Sequence, residues 1–509
     1  MLASEKWSQQ EQRGLMPGMA MDYGELNCNS NASPKIDTDD CLGNAIPLSS
    51  LLSEDSTSTS SLVTIPCGTC YTVDYTNGET ITLEGGLNVL GRLHFPPSAN
   101  VVLETTAVVV QGLWSMVTPA ADNTVTIRLY GTEDVYIYPH DYCCSDDVTC
   151  DDTCAHKANL ESKPFAVVGG MYMFAMDVAC ECFLTIVHSK KHFGILHLST
   201  SLPSLGQLDI RVVDTDCPSW TTLKQFDAAA KMISLDSSFI ACLAPGDEIV
   251  VAGDGMGNSG DTLYTVASVS EGCVHVHQDI TRDHATEEGV GEPMFAAEVA
   301  KLTRRVVFEG VEDVDNIGAH SIVFHTPNVV QTIQGVTFKG FGQAGKLGRY
   351  PIHFHKSDDT HSLVSKNVIR DSHQRCVFIH NTNHVTIDNN VAYNTKGHCY
   401  ATETGIEHDN IFTNNLAVRV DKLEITGNGQ SDDPSKKGSG MAGGDAGFWI
   451  RNMMNTFVGN RVAGCDNAGF WLELKDKMEN QLNDDSFSGN VAHGCHFGLL
   501  TYKHGWYVL

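Results

Sequence analysis

Residues 349–417 repeat themselves. NVIRDSHQRCVFIH starts at Asn367 and NVAYNTKGHCYATE at Asn390, so Asn367 and Asn390, Cys376 and Cys399, and His380 and Glu403 each stand 23 positions apart. Upstream, RYPIHFH places His355 25 positions before His380. A short β-branched or aromatic strand, a polar turn with Asn and Gly, then another strand at a period of roughly 20–30 residues is the pattern of a β-solenoid. One coil of this kind cannot bury its own apolar side; stacked coils can. The expected fold is all-β, a right-handed parallel β-helix.

Stacking has chemical consequences. Equivalent residues of neighbouring coils lie about 4.8 Å apart, and alternate residues of a strand point to opposite faces. Ile352 and Phe354, then Val377 and Ile379, fall on one face, taken as the interior. The other face carries His353 and His355, then Phe378 and His380, then Ala401 and Glu403. His355, His380 and Glu403 thus form an expected outer column. Asn367 and Asn390 stack as an asparagine ladder. Cys376 and Cys399 come close enough for a disulfide.

With 509 residues, the chain has room for two or three globular domains or one long solenoid with additions. Its 46 glycines against 33 Lys and Arg favour many turns. The net charge of −29 excludes nucleic acid as a partner class, which needs a basic footprint. It also opposes attraction of a polyanionic glycan unless charge is locally inverted or a cation intervenes.

The 17 cysteines cluster at Cys67 and Cys70, at Cys143, Cys144, Cys150 and Cys154, and at Cys180 and Cys182. The loop DYCCSDDVTCDDTCAHK matches no standard zinc-finger spacing, and its acidic, turn-forming filling suits a disulfide-stapled loop better. Disulfides imply an oxidising compartment. Residues 1–60 read as a leader with little core, and no apolar stretch there is long enough for a signal peptide. Those two readings conflict: either the chain continues beyond this sequence, or most of its cysteines are free. Asn31 begins a lone glycosylation sequon. The most apolar window, residues 164–187, holds Asp177 and Glu181 at its centre, so no membrane span is expected.

From residue 61 to 200, short strands are punctuated by glycine: VTIPCG, LNVLGRLHF, VVVQGLW and TIRLYG. These resemble the eight-glycine, or G8, domain. Residues 201–335 form a β-rich connecting region around PGDEIVVAG and AEVAKLTRRVVFEG, and residues 336–509 are solenoid repeats. A loop, NGQSDDPSKKGSGMAGGDAG, interrupts the repeats before they resume at NRVAGCDNAGFWLELK and NVAHGCHFGLLTYK, where Asn490 and Lys503 take the offset of Asn390 and Glu403. The chain stops at GWYVL with no polar cap, so the natural protein is expected to continue or to cap itself with its N-terminal part. The order of these motifs, with RYPIHFH and GHCYATE, resembles the extracellular family that joins a G8 domain to a parallel β-helix. That family holds the cell-migration-inducing hyaluronan-binding protein, its transmembrane hyaluronidase-like relative and fibrocystin-like proteins. The resemblance implies an extracellular or cell-surface address and a glycan partner. It also implies either a hyaluronidase-like enzyme or a non-catalytic adhesion module.

For chemistry, the candidate catalytic set is His355, Arg375, His380, His398 and Glu403, with His353, Asp371 and Glu407 as substrate-binding candidates. Imidazole and carboxylate suit general acid–base attack on a glycan, and Arg suits a uronate carboxylate. A hydrolase wants two carboxylates across the bond, drawn from Glu403, Glu407 and Asp371. A lyase wants a base and a cation, roles open to His and Arg. Structural stacking alone also produces such a column, and a metal site is the third reading of it. No metal ligands are assigned, and calcium is the one cofactor left open. His493 and His496 flank Cys495 in a metal-like HGCH that a solenoid turn explains more simply. His275 and His277 read as a solvated strand edge. Trp449, Phe470 and Trp471 read equally as a sugar-stacking platform or as buried aromatics.

Overall fold

The 23- to 25-residue period is built as a coil of three short strands, each lying on one face of a three-sided column. The computed structural model describes Met21–Asp22 and residues 44–52, 56–66, 68–137, 158–168, 206–212, 217–253, 260–270, 272–282, 284–287, 296–311, 316–423, 445–474 and 485–501. Face one is an 11-stranded sheet running from Ile46–Pro47 to Phe487–Ser488. Faces two and three share a 20-stranded sheet and meet in Arg461–Leu472, which crosses from one to the other. All pairing on these faces is parallel and near the expected period; for example, Val368–Ser372 pairs with Val391–Lys396, and that strand with Leu416–Asp421. Among the described residues the only helical pieces are Leu48–Leu51 and Ser237–Ile240. The protein is a parallel β-helix.

The coils do not stop at residue 200 or 335. Val125–Leu129 pairs in parallel with Val306–Gly310, Pro164–Val168 with His320–Phe324, and Gln207–Arg211 with Thr332–Gln334. One core cluster follows the axis from Leu48 to Cys495 and holds Ile352, Phe354, Val377 and Ile379, as strand parity requires. Aromatic rings stack at the coil spacing: Tyr400 on Phe448 at 4.8 Å, Phe448 on Phe470 at 5.1 Å and Phe412 on Phe457 at 4.8 Å. Each such pair adds about 0.5–1.5 kcal/mol beyond the area it buries.

The corner between faces one and two has its own chemistry. The ladder extends past the two expected rungs, as Asn367, Asn390, Asn415, Asn460 and Asn490. Each side-chain amide donates to the next rung's carbonyl oxygen at 2.9–3.1 Å. It also donates to a backbone carbonyl of the preceding coil, as Asn415 does to Ile387. Rungs one to four are fully buried, so every donor so satisfied avoids a desolvation cost of about 1–3 kcal/mol. The residue before each rung is left-handed: Lys366, Asn389, Asn414, Gly459 and Gly489, with φ between 52° and 68°. Asn and Gly tolerate that conformation, which explains the NN and GN pairs at this corner.

Between Arg211 and Val306 the same corner releases a separate unit. Its seven strands pair antiparallel and enclose their own core around Ile249, Tyr264, Val274 and Val299. Its other side, with Val250, Ala252, Ala300 and Leu302, packs on the outside of face two against Val368, Val391, Leu416 and Val418. Polar ties finish the dock. Tyr393 donates to Asp261 at 2.8 Å, Trp220 donates through Nε1 to the Asn414 carbonyl at 2.7 Å, and Arg370 pairs with Glu248. Glu298, wholly buried, accepts from Arg461 at 3.0 Å and from His493 at 2.8 Å. His493 is thus a docking residue, and Cys495 is bonded to Cys465, so HGCH is no chelating set.

Cys376 is joined to Cys399 and Cys465 to Cys495, each staple linking adjacent coils inside the core, while Cys217–Cys242 pins the antiparallel unit. The cysteines at 143, 144, 150, 154, 180 and 182 lie outside the described residues, as does Lys503. Alkylation of the unreduced protein should leave these six sulfurs unlabelled and mark Cys273, which is a free thiol. Replacing Cys376 and Cys399 together by Ser should cost about 3 kcal/mol, the loop-closure value for a separation of this length, read as a lower urea midpoint.

Candidate functional site

Face three carries two parallel columns on its outer side. The register sets His355 beside His380, and the next pairs, Phe378 with Ala401 and Ile379 with Thr402, carry that alignment to His380 and Glu403. The expected column is therefore present, and it is longer than expected. Phe324 stacks on His355 at 5.3 Å, Arg451 follows Glu403 and donates to its carbonyl at 2.9 Å, and Glu473 lies 3.7 Å from Arg451. Beside it run His353, Phe378, Ala401, Trp449 and Trp471. The extension was readable in the sequence, since GFWIR and GFWLE alternate in the same way as CVFIH.

What the sequence missed is cover. The expectation of an open outer surface is corrected: His353, His355, Arg375 and His398 are all buried. Tyr350 folds over the face and packs with Phe378, Ala401, Trp449 and Trp471 in a cluster separate from the axial core. Trp449, Phe470 and Trp471 are buried too, which removes the reading of an exposed sugar platform. Within the column, His380 and Glu403 keep a narrow opening, with side chains 17% and 14% exposed, beside 11% and 13% for Arg451 and Glu473.

The groups sit as follows. His380 Nδ1 lies 2.9 Å from Glu403 Oε2. Burial alone would raise the Glu403 carboxyl, but the hydrogen bond and charge of His380, with Arg375 and His353, bring it down to about 2, so it is ionised at neutral pH. A carboxylate only accepts, so His380 Nδ1 carries the proton. His353 Nδ1 is 3.0 Å from the Gly348 carbonyl, which likewise only accepts, leaving its Nε2 as a lone-pair nitrogen. That Nε2 is buried with no hydrogen-bond partner. Burial lowers His353 to about 3 and pushes His355 well below the usual range, so both rings are neutral. Arg375 lies over the Phe378 ring at 4.0 Å and over Tyr350 at 4.6 Å. His398 stacks on Trp449 at 4.5 Å.

Two candidates leave the set. Asp371 sits at the end of Val368–Ser372 on face two, where Arg370 and Asn394 donate to it at 3.0 and 2.7 Å. Glu407 is buried in the turn after Glu403. It accepts from the backbone of Asn381, Thr404 and Gly405 and from the Thr404 hydroxyl, and so closes a loop. Neither can serve as the second carboxylate of a hydrolase beside Glu403. Calcium also finds no fit among the described residues. The clusters able to hold a metal are His353, His355 and His380, and His384, His408 and Asp409. Both are imidazole-rich, and calcium takes oxygen ligands.

Residues 316–499 match the family model described as CEMIP beta-helix. Protein rliB of Dictyostelium discoideum is 33% identical over 233 residues, covering 42% of this chain and 20% of that protein. A G8 domain-containing protein of the same organism is 32% identical over 246 residues, covering 42% of this chain and 16% of that one. Over residues 316–499 the chain is similar to that β-helix family. Fibrocystin-L of Homo sapiens shares 29% identity over 356 residues with this chain, covering 59% of it and 8% of the human protein. The chain thus spans about a fifth or less of the length of these curated relatives. Among solved structures, the Gp54 tailspike of Acinetobacter baumannii bacteriophage AP22, in complex with A. baumannii capsular saccharide, is similar at 9% identity. It covers 77% of this chain and 71% of that one, with a TM-score of 0.19. That score carries no argument, and the fold rests on the ladders above. Among the described residues, no helix is long and apolar enough to cross a membrane.

Proposed function

We propose that this chain is the glycan-active part of an extracellular or cell-surface protein, acting on a polysaccharide by acid–base chemistry at His380 and Glu403. The observation that carries this reading is the His380–Glu403 pair, 2.9 Å apart and partly open to solvent beside the more deeply buried His353, His355 and Arg375. An imidazole oriented by an ionised carboxylate can take and return a proton. Arg375, with its Nη1 buried and unpaired, contributes positive charge felt by Glu403 and eases the approach of a uronate. Disulfides inside the core support the oxidising address. The family's hyaluronan-degrading members motivate hyaluronan as the first polymer to try.

The adhesion reading has its own support. Three of the five catalytic candidates, His355, Arg375 and His398, are buried, as a structural wall would be, and would have to be uncovered to touch a glycan. Incubation with a panel of polysaccharides, with product size and unsaturated-end absorbance as readouts, separates hydrolase, lyase and binder. In the catalytic reading, Glu403→Gln lowers turnover by about 10²–10⁴ with binding retained. Glycan bound without shortened product, and unchanged by Glu403→Gln, establishes the adhesion module instead.

A further inference from the structure

We infer that His353, His355 and His380 form a binding site for a divalent transition metal of the zinc class, with Glu403 as the carboxylate that orients His380. Ring nitrogens of the three histidines all lie within 4.8 Å of one another. They come from two adjacent coils, and register rather than a loop fixes them, since His353 pairs with Phe378 and His355 with His380. The tautomers are already those a metal needs. The Gly348 carbonyl takes the His353 Nδ1 proton and the Glu403 carboxylate takes that of His380, so each Nε2 lone pair is available. Histidine ligands in metal sites are oriented in this way, by a carbonyl or carboxylate on the distal nitrogen.

The second observation is His353 Nε2 itself, a polar atom in a residue only 1% exposed, with no hydrogen-bond partner. Leaving such an atom unsatisfied costs about 1–3 kcal/mol, and a metal ion removes that cost. Three imidazoles suit zinc and its transition-metal neighbours rather than calcium or magnesium. A tetrahedral ion bonded at 2.0–2.1 Å needs nitrogens about 3.4 Å apart, within reach of small ring rotations. Three ligands leave a fourth position for water or a substrate oxygen, toward the side where His380 and Glu403 meet solvent. A cation there would also locally invert the potential of a chain carrying a net charge of −29.

With a metal on its Nε2, His380 no longer shuttles a proton, and in the loaded protein that role of the proposed function passes to water in the fourth position. The test reads metal with no glycan present, so its failure is distinguishable from failure of the glycan reading. The full chain is stripped with a chelator and titrated with Zn²⁺ against a chromophoric competitor, and separately with Co²⁺ while visible absorption is recorded. The expected result is one Zn²⁺ per chain and the intense bands of low-coordinate Co²⁺. His355→Ala should weaken Zn²⁺ binding by at least about 100-fold, and Glu403→Gln, which keeps all three ligands, by about 10–100-fold. His408→Ala, in the exposed cluster with His384 and Asp409, should change nothing. Absence of Zn²⁺ binding by the unsubstituted chain overturns the inference, and so does binding that follows His408→Ala. The Co²⁺ spectrum of the unsubstituted protein decides the matter even if His355→Ala fails to fold.

Discussion

Glu298→Ala is expected to loosen the antiparallel unit from the helix. Glu298 is fully buried and holds both Arg461 and His493, which belong to the last two coils described. Removing one member of a buried ionic network leaves uncompensated charge and costs about 3–5 kcal/mol. Hydrogen exchange in Glu298–Lys301 and Trp220–Thr222 should accelerate by about two to four orders of magnitude, the same energy expressed as local opening. Exchange along Thr386–Asp388, on face one, should stay unchanged. The pH dependence follows with a definite sign. Burial alone would raise the Glu298 carboxyl, but the hydrogen bond and charge of His493 and those of Arg461 win and hold it below its ordinary value. Its contribution is therefore complete above the unfolded-state value, near 4.3, and is lost as pH falls through the lower folded value. Unsubstituted protein should thus show the same loosening in acid. Protection factors, corrected for the intrinsic pH dependence of amide exchange, that stay constant from pH 7 down to global acid unfolding would remove Glu298 from this role.

Trp449→Ala carries the second large effect. The side chain is buried, stacks on His398 and lies beneath Arg451 at 4.8 Å, and its Nε1 donates to Glu473 at 2.8 Å. Truncating a buried Trp costs about 3–5 kcal/mol, visible as a lower urea midpoint. Because the ring faces protein rather than solvent, the folded variant should bind whatever glycan the parent binds with little change in affinity. A large loss of binding at unchanged stability would restore the sugar-platform reading.

Much of the fold was legible because a stacked coil writes itself into the sequence as a period. His355, His380 and Glu403 fell into one column from spacing alone, and strand parity placed Ile352, Phe354, Val377 and Ile379 inside. The same logic failed wherever the chain left the strand. Asp371 is four positions from Arg375, yet a corner separates the two, and it ends on face two. Glu407 follows Glu403 closely but is drawn under the turn by backbone donors. Burial was the least legible property. Tyr350, at the turn that opens its coil, packs over face three, and the strands between Trp220 and Lys301 cover face two from an insertion with its own antiparallel order. Period analysis sees neighbours along the axis and is blind to what folds back over them.

The asparagine column has a consequence for how such a chain can change length. Successive rungs are separated by 23, 25, 45 and 30 residues, yet each of the first four makes the same two bonds. Each Asn re-zeroes the count, so a longer or shorter coil does not pass its offset to the next. The corner that carries these index marks is also where an entire second sheet leaves and re-enters between Arg211 and Val306, with parallel pairing recovered on the far side. The helix therefore behaves as a ruler whose graduations are fixed while the distance travelled between them is free, and new surface can be added at a corner without re-deriving the core.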